Sequence, residues 1–529
     1  MTQSLFNKSK KNFKVLLLYP NIQMSQMMPY SIGLLTALLR REGFSVDLFD
    51  TTFYVDEINK NYETHNQHVL EWEWKEKSQI FKSNIVNNFQ KKIEKFDPDL
   101  IGISVVENSY PIARRIIRSL PEKMKKIPIV WGGVFASFAS QIILNDNVGD
   151  YVCRGEGEDA MIDFCNRLCE GKPTHNVQNF WVRYNGNIIK NKMGPLIDLE
   201  TLPIPDYSLF PEHAIYRPMQ GKIRRTVGLE TQRGCPYTCT FCNSPSKVTH
   251  YKSDTGQMFA RKRSLKKVRE EIDFLHKKYN LELIFMIDDT FLAVPEKRFD
   301  ELYEIYTDWK IPFYMNTRCE TMTERRAKKL EEMNLLRMNF GIEHGNPEYR
   351  RNILKRTTSN EEMISAFRMT AGKKYATAGD LIIGMPEENR KLIFDSINFT
   401  RQLPKETERT GAFIFAPYHG TPLRKLAIKK GYIKNPDSVC DITKPEESML
   451  DQPQLPRQEL IGLAKTVGLY QVLPESEWKF IEKAEGNGKE AIELRTQLRK
   501  EYNWLREAST KTRVDRSKKP NASVAKLEA

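Results

Sequence analysis

Three cysteines within one short segment are the residues of this chain best suited to chemistry. Cys235, Cys239 and Cys242 follow Arg233-Gly and are spaced Cys-x-x-x-Cys-x-x-Cys, with Pro236 beside the first of them. Thiolates at this spacing can each bind a different iron of one 4Fe-4S cluster, for which the full set would be four cysteines. Three ligands leave one iron open, and an open metal position is where a substrate can coordinate.

A structural zinc site is the alternative that these residues leave open. Zinc ribbons usually pair two Cys-x-x-Cys knuckles, and this chain has no second knuckle, although His250 could serve as a fourth ligand. The remaining cysteines are scattered or lie in helical patterns, and we expect them to be reduced thiols: Cys153, Cys165, Cys169, Cys319 and Cys440.

The charge of the chain has a simple structural interpretation. The 529 residues include 82 Lys and Arg against 68 Asp and Glu, a net charge of +14 that could attract nucleic acid or an anionic substrate. Much of the excess lies in 247–278, where apolar residues recur at helical spacing, and in 511–519, so solvated surfaces are expected and a nucleic-acid partner is not. No apolar run approaches the ~18 residues of a membrane span. The run from Val15 to Tyr19 is too short for a signal-peptide core, so we predict a cytoplasmic protein.

The first part of the chain alternates strands with helices. Lys14 to Tyr19 is a continuous apolar run of the kind buried on both faces of a parallel sheet. Similar runs follow at 45–50, 100–105, 127–131 and 151–153, which predicts a doubly wound, Rossmann-like α/β domain over 12–170. Residues 171–220 are predicted to form a linker with a hairpin at Asn185-Gly186.

The alternation resumes after the linker and predicts a partial (β/α)6 barrel over 221–435. Functional groups of such barrels gather where the strands end, and polar or Gly-rich residues follow each of the six predicted strands. The strands are predicted at 227–231, 284–287, 313–315, 337–342, 381–383 and 411–415. A helical C-terminal region over 436–509 and a disordered basic tail over 510–529 complete the predicted organisation.

The cysteine loop, placed after the first barrel strand, resembles the radical S-adenosylmethionine (SAM) superfamily. The resemblance implies a 4Fe-4S cluster on Cys235, Cys239 and Cys242, with SAM chelated to the open iron and cleaved reductively to methionine and a 5'-deoxyadenosyl radical. The family's usual Gly-Gly-Glu is absent here, and Asp380 stands where the first glycine of the adenine strand would be. By position, the implied SAM-binding residues are Phe241, Asp288, Asp289, Thr290, Glu343, Ile382, Gly384 and Glu387.

The N-terminal domain contains four short motifs: Pro29-Tyr-Ser-Ile-Gly33-Leu, Asp97-Pro-Asp-Leu-Ile-Gly-Ile-Ser104, Trp131-Gly-Gly133 and Arg154-Gly-Glu-Gly-Glu158. Together they resemble the cobalamin-binding domain that precedes some radical SAM barrels. The dinucleotide fingerprint Gly-x-Gly-x-x-Gly is missing after the first strand, so NAD is not expected. The Asp-x-His-x-x-Gly motif, which supplies a histidine to cobalt in other cobalamin proteins, is also missing. Binding without that histidine and a scaffold that has lost cobalamin are therefore both open. The implied cobalamin-binding residues are Ser104, Gly132, Gly133, Gly155, Glu156 and Gly157.

Together these resemblances imply a cobalamin-dependent radical SAM enzyme that methylates an unactivated carbon. The deoxyadenosyl radical would abstract a substrate hydrogen, methylcobalamin would deliver the methyl group, and flavodoxin or ferredoxin would supply electrons. A radical cyclisation or rearrangement without methyl transfer is the nearest alternative, and a zinc-stabilised nucleic-acid-binding protein is a more remote one. The substrate, a small molecule or a lipid, is not identified, and no catalytic side chain is assigned. Four residues are expected to face the barrel cavity: Arg318, His344, Tyr418 and His419.

Overall fold

The computed structural model describes residues 8–22, 28–55, 83–441 and 448–510. Two seven-stranded sheets organise this part of the chain, one in the N-terminal domain and one in the barrel. Within these residues no helix combines the length and the apolar character needed to cross a bilayer. The tail predicted to be disordered lies outside the described residues apart from Thr510.

The N-terminal sheet has the strand order β2-β1-β3-β4-β5-β6-β7, with β1 to β5 parallel and the last two strands antiparallel. Its strands are β1 (Lys14–Tyr19), β2 (Ser45–Asp50), β3 (Leu100–Ser104), β4 (Ile129–Gly132), β5 (Tyr151–Cys153), β6 (Phe180–Tyr184) and β7 (Asn187–Lys190). The helices are α1 (Tyr30–Arg41), α2 (Ile85–Phe96), α3 (Tyr110–Arg118), α4 (Glu122–Lys125), α5 (Val134–Phe138), α6 (Ser140–Asn145) and α7 (Glu158–Cys169).

The predicted hairpin is present, but it belongs to the N-terminal sheet rather than to a free linker. Strand β6 pairs with β5 in the register Val152↔Trp181, so the hairpin adds two strands to the sheet edge. Phe180 and Val182, which share one face of β6, are buried in the domain core. Because alternate residues of a strand face the same side, this apolar pair required a sheet to pack against, and the nearest edge supplies it.

The barrel sheet has the order β16-β15-β14-β13-β12-β9-β8, in which six strands are parallel and β8 is antiparallel to β9. Its strands are β8 (Tyr216–Met219), β9 (Lys222–Leu229), β12 (Leu283–Met286), β13 (Phe313–Thr317), β14 (Leu335–Glu343), β15 (Ala376–Ile383) and β16 (Glu408–Ile414), and a separate ribbon pairs β10 (Gln232–Arg233) with β11 (Arg261–Lys262). The predicted α/β class with a six-stranded parallel barrel is confirmed.

Helices separate the barrel strands and continue into the C-terminal region. They are α8 (Ser244–Thr255), α9 (Leu265–Tyr279), α10 (Glu296–Tyr306), α11 (Glu324–Glu332), α12 (Pro347–Asn352), α13 (Asn360–Thr370), α14 (Arg390–Arg401), α15 (Pro422–Lys429), α16 (Arg457–Val472), α17 (Trp478–Lys483) and α18 (Lys489–Thr510). Short 3-10 turns lie at Lys10–Asn12, Glu107–Ser109, Leu199–Thr201, Glu212–Ile215, Cys319–Thr321 and Glu475–Glu477.

Helix α16 closes one side of the barrel. Leu460, Leu463, Val467 and Tyr470, whose spacing defines one helix face, are all buried. A side chain on Gly384, at the end of β15, would collide with Leu460, so this glycine permits the helix to approach the strand end.

The carboxyl ends of the two sheets meet at one place. Ser104, Gly132 and Cys153 end strands β3, β4 and β5 of the first sheet, while Glu230 and Ile287 follow β9 and β12 of the second. All five line the same cavity between the domains. Since functional groups of parallel sheets collect at these ends, the fold places both sets of predicted site residues around one region.

Candidate active site

The cysteine loop is anchored at its base by a buried aspartate. Asp288 Oδ1 accepts the backbone N–H groups of Thr231 at 2.9 Å and Gln232 at 2.6 Å, immediately before the loop. Gly234 then takes a left-handed φ of +86°, which a residue with a side chain adopts only with strain. The strand end, the aspartate and the glycine together set the direction in which the loop leaves the sheet.

The three cysteines line one cavity of about 360 Å³, which we call the cysteine cavity. Thr290 Oγ1 lies 3.4 Å from Cys235 Sγ, and Arg318 Nη1 donates to Cys239 Sγ at 3.0 Å. Burial raises the pKa of Cys239 and raises that of Cys242 to about 11. A bound metal reverses this effect because it binds the thiolate form.

This donor set fits an iron–sulfur cluster. A cubane takes each thiolate at a separate iron, so it needs three thiols around an open space rather than at one point. Within the described residues, no three His, Cys, Asp or Glu side chains form a group suited to a single metal ion. His250, the residue considered as a zinc ligand, packs its ring against Phe138 at a centroid distance of 4.9 Å and is not part of the cavity wall.

Five of the residues predicted to bind SAM lie around the cysteine cavity: Phe241, Asp288, Asp289, Thr290 and Glu343. Ile382 lines the neighbouring cavity described below. Gly384 and Glu387 line neither cavity. The carboxylate of Glu387 instead accepts from the hydroxyl of Tyr432 at 2.5 Å and pairs with Lys430 at 3.1 Å.

Asp288 offers one free oxygen at this site. Its Oδ1 is occupied by the loop backbone, while Oδ2 is buried and has no hydrogen-bond partner. Burial raises the pKa of Asp288 to about 7, although the hydrogen bonds from Gln232 and Thr231 act in the opposite direction. A buried acceptor without a partner is a favourable place for the ammonium or another donor of a ligand.

Two more carboxylates stand where the cysteine cavity meets a larger one. Glu343 is paired with Arg356 at 2.7 Å, and burial raises its pKa despite that pairing. Asp380 accepts from Asn339 Nδ2 at 2.8 Å and Thr410 Oγ1 at 3.2 Å, and burial raises its pKa as well. Among the described residues, Asp380 has no ion-pair partner within 4.0 Å.

The larger space, which we call the outer cavity, has a volume of about 980 Å³. Phe241, Glu343 and Asp380 line both cavities, so the two are continuous at these residues. The described part of the outer wall is largely aromatic and aliphatic, with polar groups toward the C-terminal region; it includes Ile382, Phe413, Phe415, Tyr418, Tyr432, Lys434, Met449, Asp451 and Arg457.

Two of the four residues expected to face the barrel cavity do not. His344, directly after β14, is fully buried and lines neither cavity; its Nδ1 accepts from Asn346 N at 3.0 Å and its Nε2 lies 3.1 Å from Glu388 Oε1. His419 turns to the N-terminal domain, with Nδ1 2.7 Å from Glu107 Oε1. Arg318 lines the cysteine cavity and Tyr418 the outer cavity, as expected.

Sequence reasoning did not assign a site role to Arg356 or Asn339. Arg356 follows the short helix α12, and no periodicity brings it near Glu343. Asn339 lies on β14, and it binds Asp380 only because β14 and β15 are neighbours in the sheet. For Asn339, the sequence did offer one signal: a polar residue within the apolar run of β14, which is typical of a side chain that faces a binding site.

The cavity between the domains, which we call the interdomain cavity, has a volume of about 310 Å³. Its wall includes every residue predicted to bind cobalamin: Ser104, Gly132, Gly133, Gly155, Glu156 and Gly157. A Cβ on Gly132 would meet only the carbonyl oxygen of Ile103, at 3.8 Å, and would otherwise enter open space. The missing side chain therefore leaves a cradle against the backbone, which suits the close approach of a nucleotide arm. The described wall contains no histidine, in keeping with the missing Asp-x-His-x-x-Gly motif.

Two family models match the chain in the order of its two domains. The model described as a B12 binding domain matches residues 79–164, and the model of the radical SAM superfamily matches residues 229–400, including the three cysteines. The chain belongs to the radical SAM enzymes that carry a B12-binding domain. The cofactors of such an enzyme are a 4Fe-4S cluster, SAM and cobalamin, so the predicted family and cofactor set are confirmed.

Curated relatives of this radical SAM chain fall into two groups. An uncharacterized methyltransferase of Pyrococcus horikoshii is 28% identical over 345 residues, which cover 65% of this chain and 72% of the relative. An anaerobic magnesium-protoporphyrin IX monomethyl ester cyclase of Rubrivivax gelatinosus is 24% identical over 323 residues, which cover 59% of this chain and 56% of the cyclase.

Solved structures of two radical SAM enzymes share the fold. The methyltransferase TsrM from Kitasatospora setae, with cobalamin and a 4Fe-4S cluster bound, superposes with a TM-score of 0.62 at 15% identity over 94% of this chain and 100% of that one. The cobalamin-dependent enzyme OxsB, with aqua-cobalamin and SAM bound, gives a TM-score of 0.63 at 16% identity over 94% of this chain and 72% of that one.

Proposed function

We propose that this protein is a cobalamin-dependent radical SAM methyltransferase that methylates an unactivated carbon of a small molecule. One observation carries the proposal: Ile287 lines both the interdomain cavity and the cysteine cavity. The binding spaces for cobalamin and for the cluster with SAM are therefore neighbours, as group transfer between them requires. The name of the methyltransferase relative from Pyrococcus horikoshii agrees with this reaction.

The residues of the cysteine cavity would bind and orient SAM. Cys235, Cys239 and Cys242 hold the cluster, whose chemistry is the reductive cleavage of SAM, while Asp288 Oδ2 is placed to accept from the methionine ammonium. Phe241 would pack on the adenine. Gly384 and Glu387 remain predicted SAM residues from the motif, with their contacts to Leu460 and Tyr432 as the alternative role.

We place the substrate in the outer cavity. A volume of about 980 Å³ lies within the ordinary range for small-molecule sites, and its aromatic wall would bury an apolar body. Asp380, at the junction with the cysteine cavity, has acceptor capacity left after its two neutral hydrogen bonds. A substrate that presents an amine or hydroxyl donor at its inner end would satisfy Asp380 and hold a carbon near SAM.

A radical cyclisation without methyl transfer is the second candidate, favoured by the similarity to the magnesium-protoporphyrin IX monomethyl ester cyclases. Both reactions would release 5'-deoxyadenosine and methionine from one SAM. Only methylation consumes a second SAM and releases S-adenosylhomocysteine.

The products of SAM distinguish the two. The chain would be reconstituted anaerobically with iron, sulfide and cobalamin, reduced, and given SAM whose methyl group carries deuterium. S-adenosylhomocysteine equimolar with 5'-deoxyadenosine, and a product that gains one deuterated methyl group, would support methyl transfer. Formation of 5'-deoxyadenosine alone, with a product of unchanged methyl count, would refute it in favour of cyclisation.

Flavodoxin or ferredoxin remains our predicted electron donor, since cluster reduction needs a one-electron carrier. The predicted cytoplasmic location agrees with the eight cysteines, all of which are free thiols in the structure.

A further inference from the structure

A buried ionic cluster joins the cobalamin-binding side of the interdomain cavity to the base of the cysteine loop. Arg233 is at its centre: Nη1 binds Glu156 Oε1 at 2.9 Å and Glu158 Oε1 at 2.6 Å, and Nε binds Glu230 Oε1 at 3.0 Å. Arg261 forms a further ion pair with Glu156. Burial lowers the pKa of Arg233, but the three carboxylates outweigh that effect and raise it overall.

The cluster connects two elements that bind different cofactors. Glu156 and Glu158 lie in and directly after the Gly155–Gly157 turn of the N-terminal domain, at the start of α7. Arg233 and Arg261 face each other on the β10–β11 ribbon, and Arg233 is two residues before Cys235. Glu156, Glu158, Glu230 and Arg233 all line the interdomain cavity. A ligand that fills that cavity would therefore contact residues that hold the base of the cysteine loop.

The energetics of the cluster favour a positional role. Its five side chains are each no more than 20% exposed, and three carboxylates face two guanidinium groups. Buried ion pairs lose much of their attraction to desolvation, so they contribute little net stability for their number, whereas their geometry is strongly constrained. Such a cluster fixes how the N-terminal turn and the cysteine loop sit relative to each other.

We infer that Arg233 is a positioning residue that couples cobalamin binding to the geometry of the cysteine loop. The inference rests on the cofactor set and not on methyl transfer. Coupling between two sites requires that each ligand favour one arrangement of a shared element, and here the shared element is the Arg233–Glu156 contact. Coupling is also reciprocal. The iron–sulfur cluster therefore changes the affinity for cobalamin by the same factor as cobalamin changes the affinity for the iron–sulfur cluster.

The test compares the affinity of the full-length chain for hydroxocobalamin with and without its iron–sulfur cluster, by anaerobic equilibrium dialysis. In the unmodified protein we expect the cluster-loaded form to bind about fivefold tighter or better, the lower end of ordinary coupling. In Arg233→Gln the ratio of the two affinities should fall to near one, and Arg233→Lys should restore part of it. The electron paramagnetic resonance spectrum of the reduced cluster should change when cobalamin is added to the unmodified protein, and not in Arg233→Gln.

A second variant guards against misfolding. Arg233→Gln leaves three buried carboxylates with one fewer cation, whereas Glu156→Gln removes a charge from a cluster that has an excess of acid. Because Glu156 lines the interdomain cavity, Glu156→Gln would also change any direct contact with cobalamin, but such a change affects both forms of the protein and cancels in the ratio. Arg390→Gln is the matched control, because Arg390 pairs with Glu485 and Glu459 and none of these three residues lines the interdomain or the cysteine cavity.

The inference is wrong if the unmodified protein has a ratio of one, or if Glu156→Gln and a folded Arg233→Gln keep the full ratio. A protein that forms no S-adenosylhomocysteine but shows the ratio would lose the proposed methyl transfer and keep the coupling. A protein that forms S-adenosylhomocysteine but has an affinity ratio of one would keep the proposed methyl transfer and lose the coupling.

Discussion

Arg318 donates from Nη1 to the Sγ of Cys239 at 3.0 Å, and its guanidinium lies 3.8 Å from the centroid of the Tyr237 ring. The aromatic ring and Glu320, which accepts from Nε at 2.5 Å, hold the cation against a cluster ligand. Hydrogen bonds and positive charge beside the sulfurs stabilise the more negative, reduced form of an iron–sulfur cluster.

Replacing Arg318 by Met should therefore lower the reduction potential of the cluster, by an amount on the order of tens of millivolts. A redox titration followed by electron paramagnetic resonance measures the change. Arg325→Gln, which alters an exposed ion pair with Glu296, is the control. An unchanged or higher potential in Arg318→Met would show that this contact does not stabilise the reduced cluster.

The cysteine triad makes the simplest prediction. Cys239→Ala should lose the charge-transfer absorption of the cluster and the formation of 5'-deoxyadenosine from SAM, because two thiolates do not retain a 4Fe-4S cluster with one open iron. Cys165→Ala is the matched control, since Cys165 is a buried thiol of α7 that lines none of the three cavities. Iron content and product formation are the measurements, and a Cys239→Ala protein that still cleaves SAM would refute the cluster assignment.

Gly132 allows the interdomain cavity to be filled without damage to the fold. A methyl group there would meet only Ile103 O, at 3.8 Å, so Gly132→Ala should unfold at nearly the same temperature as the unmodified protein. It should bind cobalamin about tenfold more weakly, since an intruding methyl group in a close-packed contact costs about 1 to 3 kcal/mol.

Gly488→Ala, at a position open to solvent, controls for the loss of a glycine. Equal cobalamin affinities in dialysis for Gly132→Ala and the unmodified protein would place cobalamin elsewhere.

Asp288 makes a prediction about stability and pH. The pKa of an unfolded aspartate is near 3.8, and burial raises that of Asp288 to about 7. Because the pKa is higher in the folded protein, ionisation of Asp288 opposes folding. In the protein without SAM, the contribution of Asp288 to the free energy of unfolding should be fully present below pH 4 and should be lost as the pH rises toward 7. Asp288→Asn cannot ionise, and its amide oxygen can still accept from Thr231 and Gln232.

The unfolding temperature of Asp288→Asn relative to the unmodified protein, both without SAM, should therefore increase between pH 5 and pH 8. The full difference is of order a few kcal/mol, at about 1.4 kcal/mol per pKa unit. Asp47→Asn, which removes a half-exposed ion pair with Lys92, is the control. A difference that stays constant with pH would mean that Asp288 is ionised in the folded protein without cost.

The strands and the cysteine loop could be predicted because each is encoded locally. Apolar runs such as Lys14 to Tyr19 identify buried strands without knowledge of their neighbours. The polar first half of β9 was missed for the same reason: residues 222–225 pair with the edge strand β8 and carry no apolar run. Strand β15 likewise begins at Ala376, five residues before the apolar run that predicted it.

The local backbone at the end of β14 explains one error at the site. Glu343 takes a left-handed φ of +64° at a register irregularity, so the alternation of an extended strand does not continue through it, and the next residue, His344, packs against Tyr349. Asp380 and Ile382, two residues apart on β15, both line the outer cavity. Contacts between distant segments had no local signal, and the ion pairs of Arg233 with Glu156 and Glu158 join residues more than seventy positions apart.

Ile287 forms part of the wall on both sides of the boundary between the interdomain and cysteine cavities. Among the described wall residues, Ile287 is the only one that these two cavities share. Its side chain is aliphatic and carries no titratable or redox-active group, so it contributes bulk to this boundary and takes no part in chemistry. We therefore expect the size of the side chain at position 287 to set how closely groups bound in the two cavities approach each other.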